Sequence, residues 1–220
     1  MLNKQDNHFC CNFSNDGVFA ATMSKGEHYT YAQTGMTSCD LGQFVAALDH
    51  CSEMSKGQTV IVRGEAGVGK SRLVEEFSNL AQAKEFAIHT GLILDFGTAK
   101  GQDAIGALVR SLLDIPRGSG KAMRAEAARR AVNSGWIPEE RLVHLNDLLD
   151  LPQSPNLAGI HEAMDNATRN LGKQETLGDL IQSKSETTYL LLRIEDAHWA
   201  DQVILAHLAH QVRAVQSIPV

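Results

Sequence analysis

A chain of 220 residues, 43% of them hydrophobic, is long enough to bury one core of ordinary size. Its 26 acidic against 20 basic residues leave a formal charge of -6, which speaks against the basic footprint of a nucleic-acid binder. No apolar run approaches the roughly 18 residues that a membrane span needs, and no basic patch followed by an apolar block opens the chain, so a cytoplasmic location without membrane contact is expected.

The first 35 residues show no sustained period and read as an irregular or weakly ordered segment, although Phe9, Phe13, Phe19, Tyr29 and Tyr31 are scattered through it. Leu41, Phe44, Val45, Leu48 and Cys51 then fall at helical spacing, with Asp40 as N-cap and Gly57 as stop. Cys10, Cys11, Cys39 and Cys51 have neither finger spacing nor the density of a disulfide scaffold and are expected as free thiols.

Residues 58–63 form a short apolar run of the kind that a strand buried on both faces requires. An amphipathic helix reaching Lys84 and a strand over 86–90 complete a strand, helix, strand unit. Helical segments follow near 103–113, 121–133, 139–149, 157–170 and 175–183, broken by Pro116, Gly135, Pro138, Pro152, Pro155 and Gly172. A second buried strand over 189–194 ends in Glu195-Asp196, a last helix covers about 202–215, and Ile218-Pro219-Val220 read as the opening of another strand.

Between the first apolar run and its helix stands Gly64-Glu65-Ala66-Gly67-Val68-Gly69-Lys70-Ser71, followed by Arg72. In the pattern Gly-x-x-x-x-Gly-Lys-Ser the glycines let the backbone curl so that successive N–H groups face phosphate oxygens, and the helix N-terminus adds a favourable partial charge. Lys70 is suited to the β and γ phosphates and the Ser71 hydroxyl to Mg²⁺. Chance produces this pattern in about one chain per hundred of this length, and the flanking strand and helix make chance less frequent still. Hydrolysis also needs an acid near Mg²⁺ and a group that orients water. Ligands of open α/β sheets sit at the carboxyl ends of strands, so Glu195 is assigned the metal side and Asp196 the water.

The segment Ile194-Glu195-Asp196-Ala197-His198-Trp199-Ala200-Asp201 resembles the Walker B region of STAND-type signal-transduction ATPases, a branch of the AAA-related P-loop proteins that includes Orc-like modules. From Asp40 to Val220, including the stretches at 57–77, 89–113, 145–153 and 163–173, the chain is similar to the ATPase module downstream of the catalytic domain in bacterial adenylate or guanylate cyclases. The resemblance implies a three-layer parallel sheet of the AAA type over 36–220 with a helical insertion at about 101–185. It also implies ATP with Mg²⁺, slow hydrolysis used as a switch, and the rest of a multidomain regulator or cyclase as partner. Gly64, Gly67, Gly69, Lys70 and Ser71 match the family's phosphate positions, Glu195 and Asp196 its acids, and His198, Trp199 and Asp201 its following signature.

Three departures accompany the match. Thr37-Ser38-Cys39-Asp40-Leu41 replaces the family's opening Gly-Arg-x-x-Glu-Leu element, and no cyclase catalytic pattern is present, so no cyclase activity is expected. The family's central strand would begin at Ile218, two residues before the end of the sequence, so the sheet is expected to be incomplete. The strands at 59–63 and 189–194 would then lack their shared neighbour, at roughly 1–3 kcal/mol for each unpaired backbone group. A fragment with weak or no nucleotide binding is one alternative. A small-molecule phosphotransferase is another, with Arg129 and Arg130 as its only candidate lid arginines, although a solvated helix face also accounts for them.

Overall fold

The computed structural model describes residues 18–23, 27–32, 38–54, 57–63, 67, 69–93 and 102–217. Among the described residues five strands form one sheet: β1 (Val18–Met23), β2 (Glu27–Ala32), β3 (Gln58–Arg63), β4 (Ala87–Leu92) and β5 (Leu190–Glu195), in the spatial order β2-β3-β1-β5-β4. The pairs β2·β3 and β4·β5 are parallel, whereas β1 runs antiparallel to both β3 and β5.

The sheet is therefore mixed rather than all-parallel, and the expected central gap is filled. Val18 through Thr22 stand opposite Arg63 through Thr59, and Ala20 through Met23 stand opposite Ile194 through Leu191. Backbone groups of β3 and β5 that were expected to lack a neighbour find one on β1. The strand arises in the stretch read as irregular. Val-Phe-Ala-Ala-Thr-Met carries two alanines and no polar alternation, so it gives little local β signal. Nor do β1 and β2 pair with each other across their short connection, because β3 lies between them.

Helices cover both faces of the sheet. On one side α1 (Ser38–Met54) and α2 (Lys70–Ala83) bury Phe44, Leu48, Leu73, Val74 and Phe77 against Val60, Val62 and Leu191. Phe44 and Phe77 meet with ring centroids 4.7 Å apart. On the other side α3 (Gln102–Leu112), α4 (Lys121–Asn133), α5 (Leu142–Leu148), α7 (Asn166–Ser185) and α8 (Gln202–Ser217) surround a larger core, to which α6 (Pro155–Ala163) contributes no buried residue. In that core Leu108, Leu112, Leu145, Leu177 and Ile181 pack toward Leu190, Leu192 and Ile194. The period of two on β5 sends these last three side chains to one face and Leu191 to the other.

Two boundaries differ from the sequence reading. Helix α1 starts at Ser38, so Asp40 lies in its first turn instead of capping it. The break expected between 170 and 175 falls at 164–165, where the Asp165 side chain accepts a hydrogen bond from the Thr168 amide at 2.7 Å and caps α7. Gly172 lies inside that helix: a Cβ there would overlap the buried His144 ring, so the glycine serves close approach, not termination. The strand expected from Ile218 lies outside the described residues.

Candidate nucleotide-binding site

The phosphate-loop candidate lies where β3 hands the chain to α2. Gly64, Glu65, Ala66 and Val68 are outside the described residues, but Gly67 and Gly69 show why the pattern needs glycine. Their φ values are 80° and 98°, a left-handed region costly to residues with a Cβ, and a Cβ at either position would meet nothing within 4 Å. The requirement is set by the backbone, not by crowding. Gly67, Gly69, Ser71 and Arg72 are exposed and Lys70 is half-buried, so the loop is open to solvent at these positions.

Helix α2 begins at Lys70 with no side-chain cap and no acidic residue in its first turn. Its first amides are the donors that a helix leaves without an intrahelical partner, and together with the macrodipole they favour an anion. Arg72 turns along the helix to Glu76, Nε to Oε1 3.0 Å. The described donors thus fit a phosphate-bearing ligand: amides at the α2 N-terminus, the Lys70 ammonium and the Ser71 hydroxyl.

The acids lie at the same end of the sheet. Ile61 of β3 and Ile194 of β5 both stand opposite Ala20, so Arg63 and Asp196 are level with each other. One intervening strand separates them by about 10 Å, twice the usual strand spacing. Glu195 projects on the α2 side of the sheet, as its neighbour at period two shows: Arg193 Nε lies 2.8 Å from Glu195 Oε1, and its Nη1 donates to Ser78 Oγ on α2 at 3.2 Å. The sequence signal for this pairing is the i,i+2 spacing, which puts both side chains on one face of the strand. Asp196 leaves the strand with φ 55° and its carbonyl accepts from the Trp199 amide at 2.9 Å.

The segment beyond is a helix start. Asp201 Oδ1 accepts from the Ile204 amide at 2.9 Å and caps α8. Trp199 is 47% exposed; the His198 side chain is outside the described residues. Arg129 pairs with Glu126 at 2.6 Å and Arg130 donates to the Leu113 carbonyl at 2.8 Å, so both serve the helical layer. Among the described residues no His, Cys, Asp and Glu cluster could hold a metal by itself. A nucleotide-borne Mg²⁺ needs no such cage, since phosphates and water supply most of its ligands. Cys51 is buried, and among the described residues no helix is long and apolar enough to cross a membrane.

No curated protein and no solved structure matches the chain. The family model described as AAA ATPase domain matches residues 40–220, a span that contains the glycine loop, α2 and the acid-ended strand β5. The chain belongs to the AAA ATPase domain family, a nucleotide-binding ATPase-type module with a P-loop α/β fold.

Proposed function

We propose that this chain is the ATP-dependent switch of a STAND-type signal-transduction ATPase, related to Orc-like modules and to those associated with bacterial cyclases, and that it hydrolyses ATP slowly. The observation that carries the reading is the left-handed glycine turn leading into an uncapped α2, at the sheet end where β5 delivers its two acids. Gly64 through Ser71, with Arg72, hold the phosphates. The Ser71 hydroxyl and Glu195 serve Mg²⁺, which when bound offsets phosphate charge, and Asp196 orients the attacking water. Lys70 meets the terminal phosphates. Arg193 offsets the charge of Glu195, so the carboxylate reaches the metal only by sharing that guanidinium. The partner is the remainder of a cytoplasmic multidomain regulator, which reads the difference between nucleotide states.

Phosphate release under saturating ATP with Mg²⁺ tests the roles. Asp196→Asn and Glu195→Gln are each expected to lower turnover about tenfold or more, while nucleotide still raises the melting temperature of both variants. Turnover that is unchanged in both variants removes the acids from the site.

A further inference from the structure

We propose that the free edge of β4, together with an arginine-lined cavity beside it, receives an extended acidic segment of a partner polypeptide as an added strand. Strand β4 ends the sheet order, so only one of its edges is paired among the described strands. The Ala87 amide donates to the Tyr189 carbonyl at 2.8 Å and the Ile93 amide to the Glu195 carbonyl at 3.2 Å. Odd-numbered residues therefore direct their backbone groups at β5. Alternation along a parallel strand sends the N–H and C=O groups of Ile88, Thr90 and Leu92 the other way.

Those same three residues line a cavity of about 700 Å³. Helix α3 closes the face that carries the odd-numbered side chains: His89 Nδ1 is 2.9 Å from Ser111 Oγ, and a Cβ on Gly91 would come within 2.7 Å of the Ala104 carbonyl oxygen. Ala107 and Ser111 of α3 line the cavity too, so the space runs beside the strand, along its outer edge. Natural sheets guard such edges with lysine, proline or a bulge. The sequence Ala-Ile-His-Thr-Gly-Leu has no lysine or proline, its ladder with β5 is unbroken, and Leu92 is 42% exposed.

The remaining walls select the charge of the occupant. Among the described residues Arg110, Arg117 and Arg124 line the cavity and no acidic residue does, in a chain whose formal charge is -6. Arg124 Nη1 donates to the Leu149 carbonyl at 2.6 Å and lies 3.5 Å from Asp150, and Arg110 lies 3.7 Å from the same carboxylate, whose side chain is 76% exposed. Lone anions use the guanidinium groups but leave the outward amides and carbonyls of β4 to water. An extended acidic segment uses both, with main-chain pairing supplying affinity and alternate carboxylates meeting the arginines.

The test is selection of a displayed random decapeptide library on the full chain, followed by affinity measurements with the selected peptides. Enrichment of Asp and Glu at alternate positions is expected. Thr90→Pro removes an outward N–H without touching the β4·β5 ladder, and Arg117→Glu reverses one wall charge. Each is expected to weaken binding at least tenfold, with an unchanged melting temperature for Arg117→Glu. N-methylation of alternate peptide amides is expected to cause the same loss on the unaltered chain, so the reading stands even if Thr90→Pro fails to fold. A library that yields no peptide, selected peptides without acidic excess, or binding indifferent to N-methylation and Arg117→Glu would each overturn the proposal. So would full displacement of the peptide by millimolar inorganic phosphate with N-methylation silent, the mark of a small-anion pocket.

Discussion

Gly69→Ala isolates what the phosphate loop asks of its backbone. Gly69 holds φ 98° and ψ 16° as the N-cap of α2, and a Cβ there meets nothing within 4 Å. Steric crowding therefore contributes nothing, and the cost is conformational, about 1–2 kcal/mol for an L-residue in left-handed space. Gly135 provides the matched control. It follows α4 with φ 70°, a Cβ on it also meets open space, and the amides of Gly135 and Trp136 close the helix end on the carbonyls of Val132 and Ala131, each at 2.9 Å. Both alanine variants should lower the melting temperature by roughly 2–8 °C, at about 2–4 °C per kcal/mol for a domain of this size. Only Gly69→Ala should change nucleotide binding, because relieving its strain rotates the first amides of α2 away from the phosphates. Calorimetric titration with ATP and Mg²⁺ is expected to show at least tenfold weaker binding for Gly69→Ala and no change for Gly135→Ala. Equal affinities in the two variants would refute the assignment of the loop geometry to phosphate.

Three further outcomes follow from the packing of the helical layer. Helix propensity alone expects Gly172→Ala to stabilise by about 1 kcal/mol, but overlap with the buried His144 ring should turn this into a loss of about 1–2 kcal/mol. In a His144→Ala background the same change should stabilise, and a stabilised single variant in chemical denaturation contradicts the contact. Burial holds the His207 imidazole neutral down to a pKa of about 4, below its ordinary value of 6.5. The unfolded chain takes up that proton below about pH 6.5 while the folded chain refuses it until about pH 4, so stability falls as pH is lowered through this window, by roughly 3 kcal/mol in all. His207→Gln should flatten the fall in melting temperature between pH 7 and pH 4, and an identical slope would count against the assignment. Asp165→Ala removes the α7 cap and should cost about 1 kcal/mol, read as a shifted denaturant midpoint with unchanged slope. No shift would mean that water replaces the cap.

Strands β3 and β5 were legible in the sequence because each is a short apolar run ending in chemistry-bearing residues, and α2 because its apolar stripe follows the glycine loop. What local pattern cannot carry is the choice of neighbour. Strand β1 lies between two strands that come much later in the chain, Gln58–Arg63 and Leu190–Glu195, in antiparallel sense, and the signal for that placement resides in ladders with Ile61 and Ile194 that exist only after folding. Gly172 was misleading for a related reason. A glycine reads as a break when only its propensity is weighed, and its use under the His144 ring depends on a helix 28 residues earlier. The acid pair was placed correctly at a strand end, yet the hold of Arg193 on Glu195 changes how much charge that end presents.

Equilibrium binding of ATP in the presence of Mg²⁺ to the unaltered chain and to Lys70→Ala tests the phosphate-loop assignment most directly. Loss of a charge-assisted contact worth about 1.5–3 kcal/mol corresponds to roughly 10- to 150-fold weaker affinity. That weakening, in a variant whose melting temperature without nucleotide is unchanged, is the result expected; equal affinities for the two proteins would contradict it.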